Sequence, residues 1–221
     1  MKILVATEKP FAAVAVDGIR KVVEDAGFEL ELLEKYSAKQ ELLDAVATAD
    51  GLIIRSDIVD NEVLDAAKQL KIVVRAGAGY DNVDLAAATA HNVVVENTPG
   101  QNSNAVAELV FGMAVMAVRN MYNGTSGTEL KDKTIGIHAF GQVGRNVARI
   151  AKGFGMTVEA LDPYCPDEAM SEAGVKPVHS IDELYANNRF VSIHIPATPE
   201  TKGSIGYDLI SSMPKGGVLI N

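Results

Sequence analysis

Lys133-Thr-Ile-Gly-Ile-His138-Ala139-Phe140-Gly141-Gln142-Val143-Gly144-Arg145 decides the fold. Its first residues are small and β-branched, and Val143, Val147, Ile150, Ala151 and Phe154 then recur at helical spacing. The pattern predicts a strand that turns sharply into a helix with one apolar face. The turn carries the spacing G-x-G-x-x-G. In that pattern the first glycine serves the tight turn, the second lets the backbone approach a diphosphate, and the third lets helix and strand pack closely. Gly141 and Gly144 hold the second and third places, whereas Ala139 holds the first. An alanine fits there only if it keeps a negative φ.

A helix that starts at such a turn offers unpaired N–H groups and the positive end of its dipole to phosphate oxygens. The next strand, over 156–161, ends at Asp162, eighteen residues past Gly144. A carboxylate at that strand end accepts hydrogen bonds from both adenosine ribose hydroxyls and repels a 2′-phosphate, so the expected cofactor is NAD rather than NADP. The plain alternative is a glycine-bearing turn without a ligand.

Working outward, short Val/Ile/Leu-rich runs alternate with helical stretches from end to end, the pattern of parallel sheets covered by helices. The fold class is α/β, with two doubly wound, Rossmann- or flavodoxin-like domains. Strands are expected over 2–6, 28–33, 51–55, 71–75 and 92–96, then over 134–138, 156–161, 174–178, 190–195 and 217–220, with a helix over 14–26. Pro99 and Gly100 read as a hinge, dividing a substrate domain over 1–98 from an NAD-binding domain over 99–221. A helix over 101–121 follows, on which Val106, Leu109, Val110, Met113, Met116 and Ala117 repeat every three to four residues. Its methionines are expected to pack in the core. The chain closes on Gly216-Gly217-Val218-Leu219-Ile220-Asn221, a buried strand that leads into nothing, so the second domain reads as cut short.

Composition narrows the function. With 48% hydrophobic and 22% charged residues, 221 residues suffice for proper apolar cores. A net charge of −9 argues against nucleic acid and against an anionic membrane surface. An anionic substrate must then be attracted locally. No stretch is long and apolar enough to span a membrane, and a cytoplasmic location is expected. The one cysteine, Cys165, reads as a loop residue, and no metal-ligand spacing occurs.

The strand over 190–195 leads into Ser192-Ile-His194-Ile-Pro196-Ala-Thr198-Pro-Glu-Thr201 at the sheet edge where ligands bind. His194 reads either as lining the cofactor or as a loop histidine, and not as the general acid. His91, His138 and His179 read as structural or exposed.

Taken together, Arg55-Ser56, the block from Arg75 to Asp84, Asn97 to Glu108, the fingerprint from Ala139 to Gly144, Asp162-Pro163-Tyr164 and His194-Ile-Pro196 resemble the ordered signatures of the D-2-hydroxyacid dehydrogenases. Arg55-Ser56 and the Arg75 block are most similar to the branch that oxidises D-3-phosphoglycerate to 3-phosphohydroxypyruvate in serine biosynthesis. The resemblance implies hydride transfer to NAD. It implies cofactor contacts at Ala139, Gly141, Gln142, Val143, Gly144, Asp162, Pro163, His194, Pro196 and Thr201. It further implies a carboxylate-binding loop at Ala76, Gly77, Ala78 and Gly79, phosphate contacts at Arg55, Ser56 and Arg75, and a substrate contact at Asn102. For Arg55 a strand-end salt bridge stays open.

The family's catalytic arginine, glutamate and histidine would fall beyond Asn221, so no catalytic residue is assigned and the chain alone is expected to turn over poorly. A homodimer through the cofactor domain and the helix after Pro99 is also implied. Alternatives are a glyoxylate or hydroxypyruvate reductase, an NAD-sensing binding protein of the co-repressor type, or a paralogue without ligand.

Overall fold

A computed structural model describes residues 1–221. The chain forms two compact units, Met1–Gln101 and Asn102–Asn221. In the first, strands β1 (Lys2–Thr7), β2 (Glu29–Glu34), β3 (Gly51–Ile54), β4 (Ile72–Arg75) and β5 (Val94–Asn97) alternate with helices α1 (Ala13–Asp25), α2 (Lys39–Val46), α3 (Asn61–Ala66) and α4 (Leu85–Ala90). All strands pair in parallel, in the order β2-β1-β3-β4-β5. Parallel neighbours need crossover connections, which is why helices cover the sheet and why its central strands are apolar on both faces. Leu4, Val5, Ala6, Leu52 and Ile54 are wholly buried. Helix α1 stops at Gly27, whose φ of 74° lets the Phe28 N–H return to the Val23 carbonyl at 3.0 Å.

The turn after β5 is fastened to this first sheet. Thr98 N donates to the Gly77 carbonyl at 2.9 Å, and Asn97 Nδ2 donates to the Ala78 carbonyl at 2.7 Å. These bonds hold Thr98 to the first unit, which runs to Gln101.

The second unit opens with α5 (Ser103–Val118) and continues as β6 (Thr134–His138), α6 (Gln142–Gly153), β7 (Thr157–Leu161), α7 (Asp167–Glu172), β8 (Lys176–Pro177), α8 (Ile181–Asn187), β9 (Phe190–Ile193), α9 (Tyr207–Ser211) and β10 (Val218–Ile220). The sheet is again parallel, in the order β10-β9-β6-β7-β8. Strand β8 is shorter than its sequence suggests, because Gly174 takes a φ of 68° and Pro177 has no N–H to donate to the ladder.

Helix α5 corrects one expectation. Its buried stripe is Ser103, Ala107, Val110, Phe111 and Ala114, whereas Leu109, Met113 and Met116 are 62%, 40% and 39% exposed. The helix is apolar almost all round, so periodicity alone does not choose between its two faces. Phe111 decides it by stacking on Phe154 at 5.2 Å between ring centroids.

Candidate functional site

In an open parallel sheet, ligands bind at the carboxyl edge where the strand order reverses. The first sheet reverses between β1 and β3, the second between β6 and β9. The candidate residues gather at these two edges, each within its own unit.

In the second unit the β6–α6 turn sits at the reversal. A methyl group on Gly144 would collide with the Ala139 carbonyl, so packing alone requires glycine there. Gly141 is different: a methyl group there would meet nothing within 4 Å. It is the N-cap of α6, and no side chain caps that helix. The N–H groups of Gln142 and Val143 have no protein acceptor and, with the space left over Gly141, form a cradle that suits a diphosphate.

Ala139 overturns a second expectation, for its φ is +85° rather than negative. The backbone on both sides of it is fastened. Ala139 N donates to the Leu161 carbonyl at 2.8 Å, Phe140 N donates to Asp162 Oδ2 at 2.8 Å, and the Phe140 ring is only 1% exposed.

Asp162 stands at the end of β7 and is half-buried. Its Oδ1 accepts the Tyr164 N–H at 2.9 Å. Each carboxylate oxygen thus carries one backbone donor and keeps further lone-pair capacity for hydroxyl groups. Pro163 and Tyr164 beside it are exposed. Arg145 lies 4.8 Å over the Phe140 ring and donates to Cys165 Sγ at 3.3 Å, which gives the loop cysteine a packing partner.

Past β9, His194 Nε2 is 2.8 Å from Ser192 Oγ, and the His194 backbone N–H donates to the His138 carbonyl at 2.8 Å. Burial pulls the His194 pKa down to about 4, so the ring is neutral at pH 7. Thr201 Oγ1 donates to the Pro196 carbonyl at 2.6 Å and accepts the Thr198 N–H at 2.8 Å, closing the loop that follows. His138 is buried, with Nδ1 3.3 Å from Tyr185 Oη, and burial lowers its pKa too. His91 and His179 lie 3.4 Å from Asp65 and 3.2 Å from Asp167, away from either reversal point.

In the first unit, Arg55 and Ser56 are exposed just past β3. Arg75 ends β4 with its guanidinium laid over Gly77, where a methyl group would strike Nη1. Arg75 Nε is buried without a hydrogen-bond partner, and neither Arg55 nor Arg75 joins an ion pair. The loop after β4 offers fewer donors than its glycines suggest. Ala76 N donates to the Ile54 carbonyl at 2.8 Å and Gly77 N to the Arg75 carbonyl at 2.9 Å. That leaves the N–H groups of Ala78 and Gly79 to meet an anion. Asn102 belongs to the other unit, where it is exposed at the N-terminal boundary of α5 and caps nothing.

Sequence reasoning missed Asp57. It is 4% exposed, and its Oδ1 accepts both the Tyr36 hydroxyl at 2.7 Å and the Glu8 N–H at 2.8 Å. Oδ2 takes a longer contact from Arg55 N at 3.4 Å, while the Asp57 carbonyl accepts from Asn82 Nδ2 at 2.7 Å. One residue therefore ties together the loops that follow β1, β2, β3 and β4. Burial and the Asp57 carboxylate push the Tyr36 pKa far above its ordinary value. No local signal marks Asp57, because Tyr36 and Glu8 lie 21 and 49 residues away.

Comparison with known proteins places the chain in a family. The model for the catalytic domain of D-isomer specific 2-hydroxyacid dehydrogenases matches residues 7–202. The D-3-phosphoglycerate dehydrogenase of Methanocaldococcus jannaschii is 37% identical over 215 residues, which cover 91% of this chain and 41% of that protein. Among solved structures, the cofactor (NAD+)-bound 3-phosphoglycerate dehydrogenase of Entamoeba histolytica is 47% identical, with a TM-score of 0.92 over 99% of this chain and 70% of that one. An acyclic imino acid reductase in complex with NADPH and D-Arg is 26% identical with a TM-score of 0.83, covering 100% of this chain and 74% of that one. The chain spans about two fifths of the length of the curated relatives it matches. It belongs to the D-isomer specific 2-hydroxyacid dehydrogenase family.

Proposed function

We propose that this member of the D-isomer specific 2-hydroxyacid dehydrogenases serves the NAD-dependent oxidation of D-3-phosphoglycerate to 3-phosphohydroxypyruvate, supplying the nucleotide site and part of the substrate site. The observation that carries the reading is the loop after β4. An unpartnered Arg75 Nε lies at a glycine-bearing loop whose Ala78 and Gly79 N–H groups are unspent, beside an exposed Arg55 that no carboxylate neutralises. In a chain of net charge −9 such a cluster attracts an anion locally.

When bound, NAD supplies the acceptor for the hydride leaving C2 of the substrate. The chain's own residues bind and orient. The N–H groups of Gly141, Gln142 and Val143 hold the diphosphate, while Ala139 and Gly144 shape the turn beneath it. Asp162 receives the adenosine ribose hydroxyls, with Pro163 alongside. His194, Pro196 and Thr201 line the far end, and a neutral His194 gives up no proton there. In the first unit Ala76, Gly77, Ala78 and Gly79 form the carboxylate loop, in which Ala78 and Gly79 donate. Arg55, Ser56 and Arg75 take the substrate phosphate, a task suited to guanidinium's paired donors, and Asn102 meets the substrate. The exposed stripe of Leu109, Met113 and Met116 on α5 supports a homodimer that covers it.

Calorimetric titration with D-3-phosphoglycerate and with unphosphorylated D-glycerate tests the reading. R55A should weaken phosphoglycerate binding roughly 10- to 100-fold, the worth of about 1.5–3 kcal/mol for a hydrogen bond to a charged group, and leave glycerate binding unchanged. Equal losses for both ligands would contradict phosphate recognition by Arg55.

A further inference from the structure

We propose that Asp162 is also a positioning residue. Its side chain holds Ala139 in the left-handed region, so the shape of the diphosphate turn and the choice of nucleotide depend on one carboxylate. The nucleotide part of this inference rests on the function proposed above.

Ala139 adopts a φ of +85°, which the Cβ of an L-residue opposes. Such a residue persists only where its surroundings over-determine it. The paired register of β6 and β7 ends at His138 opposite Leu161. Two further bonds continue it: Ala139 N to the Leu161 carbonyl and Phe140 N to Asp162 Oδ2, both 2.8 Å. The second replaces a backbone acceptor with a side chain. It pins the residue after Ala139, whose ring is itself buried. The Tyr164 N–H, 2.9 Å from Oδ1, fixes the carboxylate in turn.

The consequence concerns specificity. A carboxylate that only discriminated against a 2′-phosphate could be removed to admit NADP. Here its removal also frees Phe140 N, so Ala139 relaxes toward negative φ and the cradle at Gly141 shifts. A glycine at position 139 would hold the turn without help, because it adopts positive φ without strain.

The test is a double-mutant cycle on the full chain, comparing the unaltered protein with A139G, D162A and A139G/D162A. NAD and NADP affinities are measured by titration, and stability by urea unfolding without nucleotide. D162A alone should bind both nucleotides poorly. The gain in NADP affinity from A139G should be about tenfold larger in the D162A background than in the unaltered one, within the range of coupling between contacting groups. The unfolding equilibrium should show coupling of the same sign. D162N, whose amide oxygen still accepts from Phe140 N, should admit NADP without A139G, and it keeps the test open if D162A folds poorly. Equal effects of A139G in both backgrounds would overturn the proposal. If neither nucleotide binds the unaltered chain, the function proposed above fails, and the urea cycle alone still decides the coupling.

Discussion

In the first unit Asp57 is 4% exposed and receives the Tyr36 hydroxyl and two backbone N–H groups. In the second, Asp162 is half-buried and receives two backbone N–H groups, with no side-chain donor. Both aspartates stand past the carboxyl end of a strand in a doubly wound parallel sheet, and both tie one loop to another. Burial separates their roles. A carboxylate enclosed by its own donors is a knot that fixes loops, whereas one with an open side fixes a loop and can still receive hydroxyl groups from a ligand.

The largest expected effect tests this contrast. D57A would strand the buried Tyr36 hydroxyl and leave the Glu8 N–H without its acceptor, and should cost roughly 3 kcal/mol in urea unfolding, since a buried unpaired group costs about 1–3 kcal/mol. D162A should cost only about 1 kcal/mol, because water replaces the lost acceptor at a half-exposed site. Equal losses would break the comparison.

A second pair sharpens it with glycines. G144A drives a methyl group into the fixed Ala139 carbonyl and should cost about 2 kcal/mol by overpacking. G51A in β3 meets the flexible end of Ile3 at 2.8 Å from Cδ1 and makes an ordinary contact with Ile72 Cγ2 at 3.4 Å, and should cost less than half as much. Circular dichroism melts of the two variants decide the order.

The gentlest effect is graded with pH. His138 and His194 are held neutral by burial, so their folded pKa values lie below the ordinary 6.5, that of His194 at about 4. The native second unit therefore binds fewer protons than the unfolded chain. The stability this gives is complete above pH 6.5 and is lost as pH falls toward 4. In the first unit, hydrogen bonds from Lys71 and Lys39 hold Asp50 and Asp60 below their ordinary 3.8, so their contribution persists until pH falls below that value. Hydrogen exchange at pH 5 should show the second unit loosening first, and earlier loosening of the first unit would contradict the assignment.

Much of this was legible before any coordinates. The strand–turn–helix at Lys133–Arg145 and the eighteen-residue step to Asp162 are local patterns, because a turn and the strands beside it are built from neighbours in the chain. The helix expected over 14–26 lies at Ala13–Asp25 and ends before Gly27 by the same short-range chemistry. The face that α5 buries was not legible. Its composition suits both faces, and only contact with α6 and Phe154 selects Val110 and Phe111 over Met113 and Met116.

The sequence by itself determined the α/β class, the cofactor fingerprint and the family resemblance, since each rests on spacings of a few residues to a few tens. Tertiary structure alone decided three things: the positive φ of Ala139, the loop N–H group that Ala76 spends on the Ile54 carbonyl, and the knot at Asp57. Each depends on hydrogen bonds between segments far apart in the chain, and partners of that kind are chosen by packing rather than by neighbouring sequence.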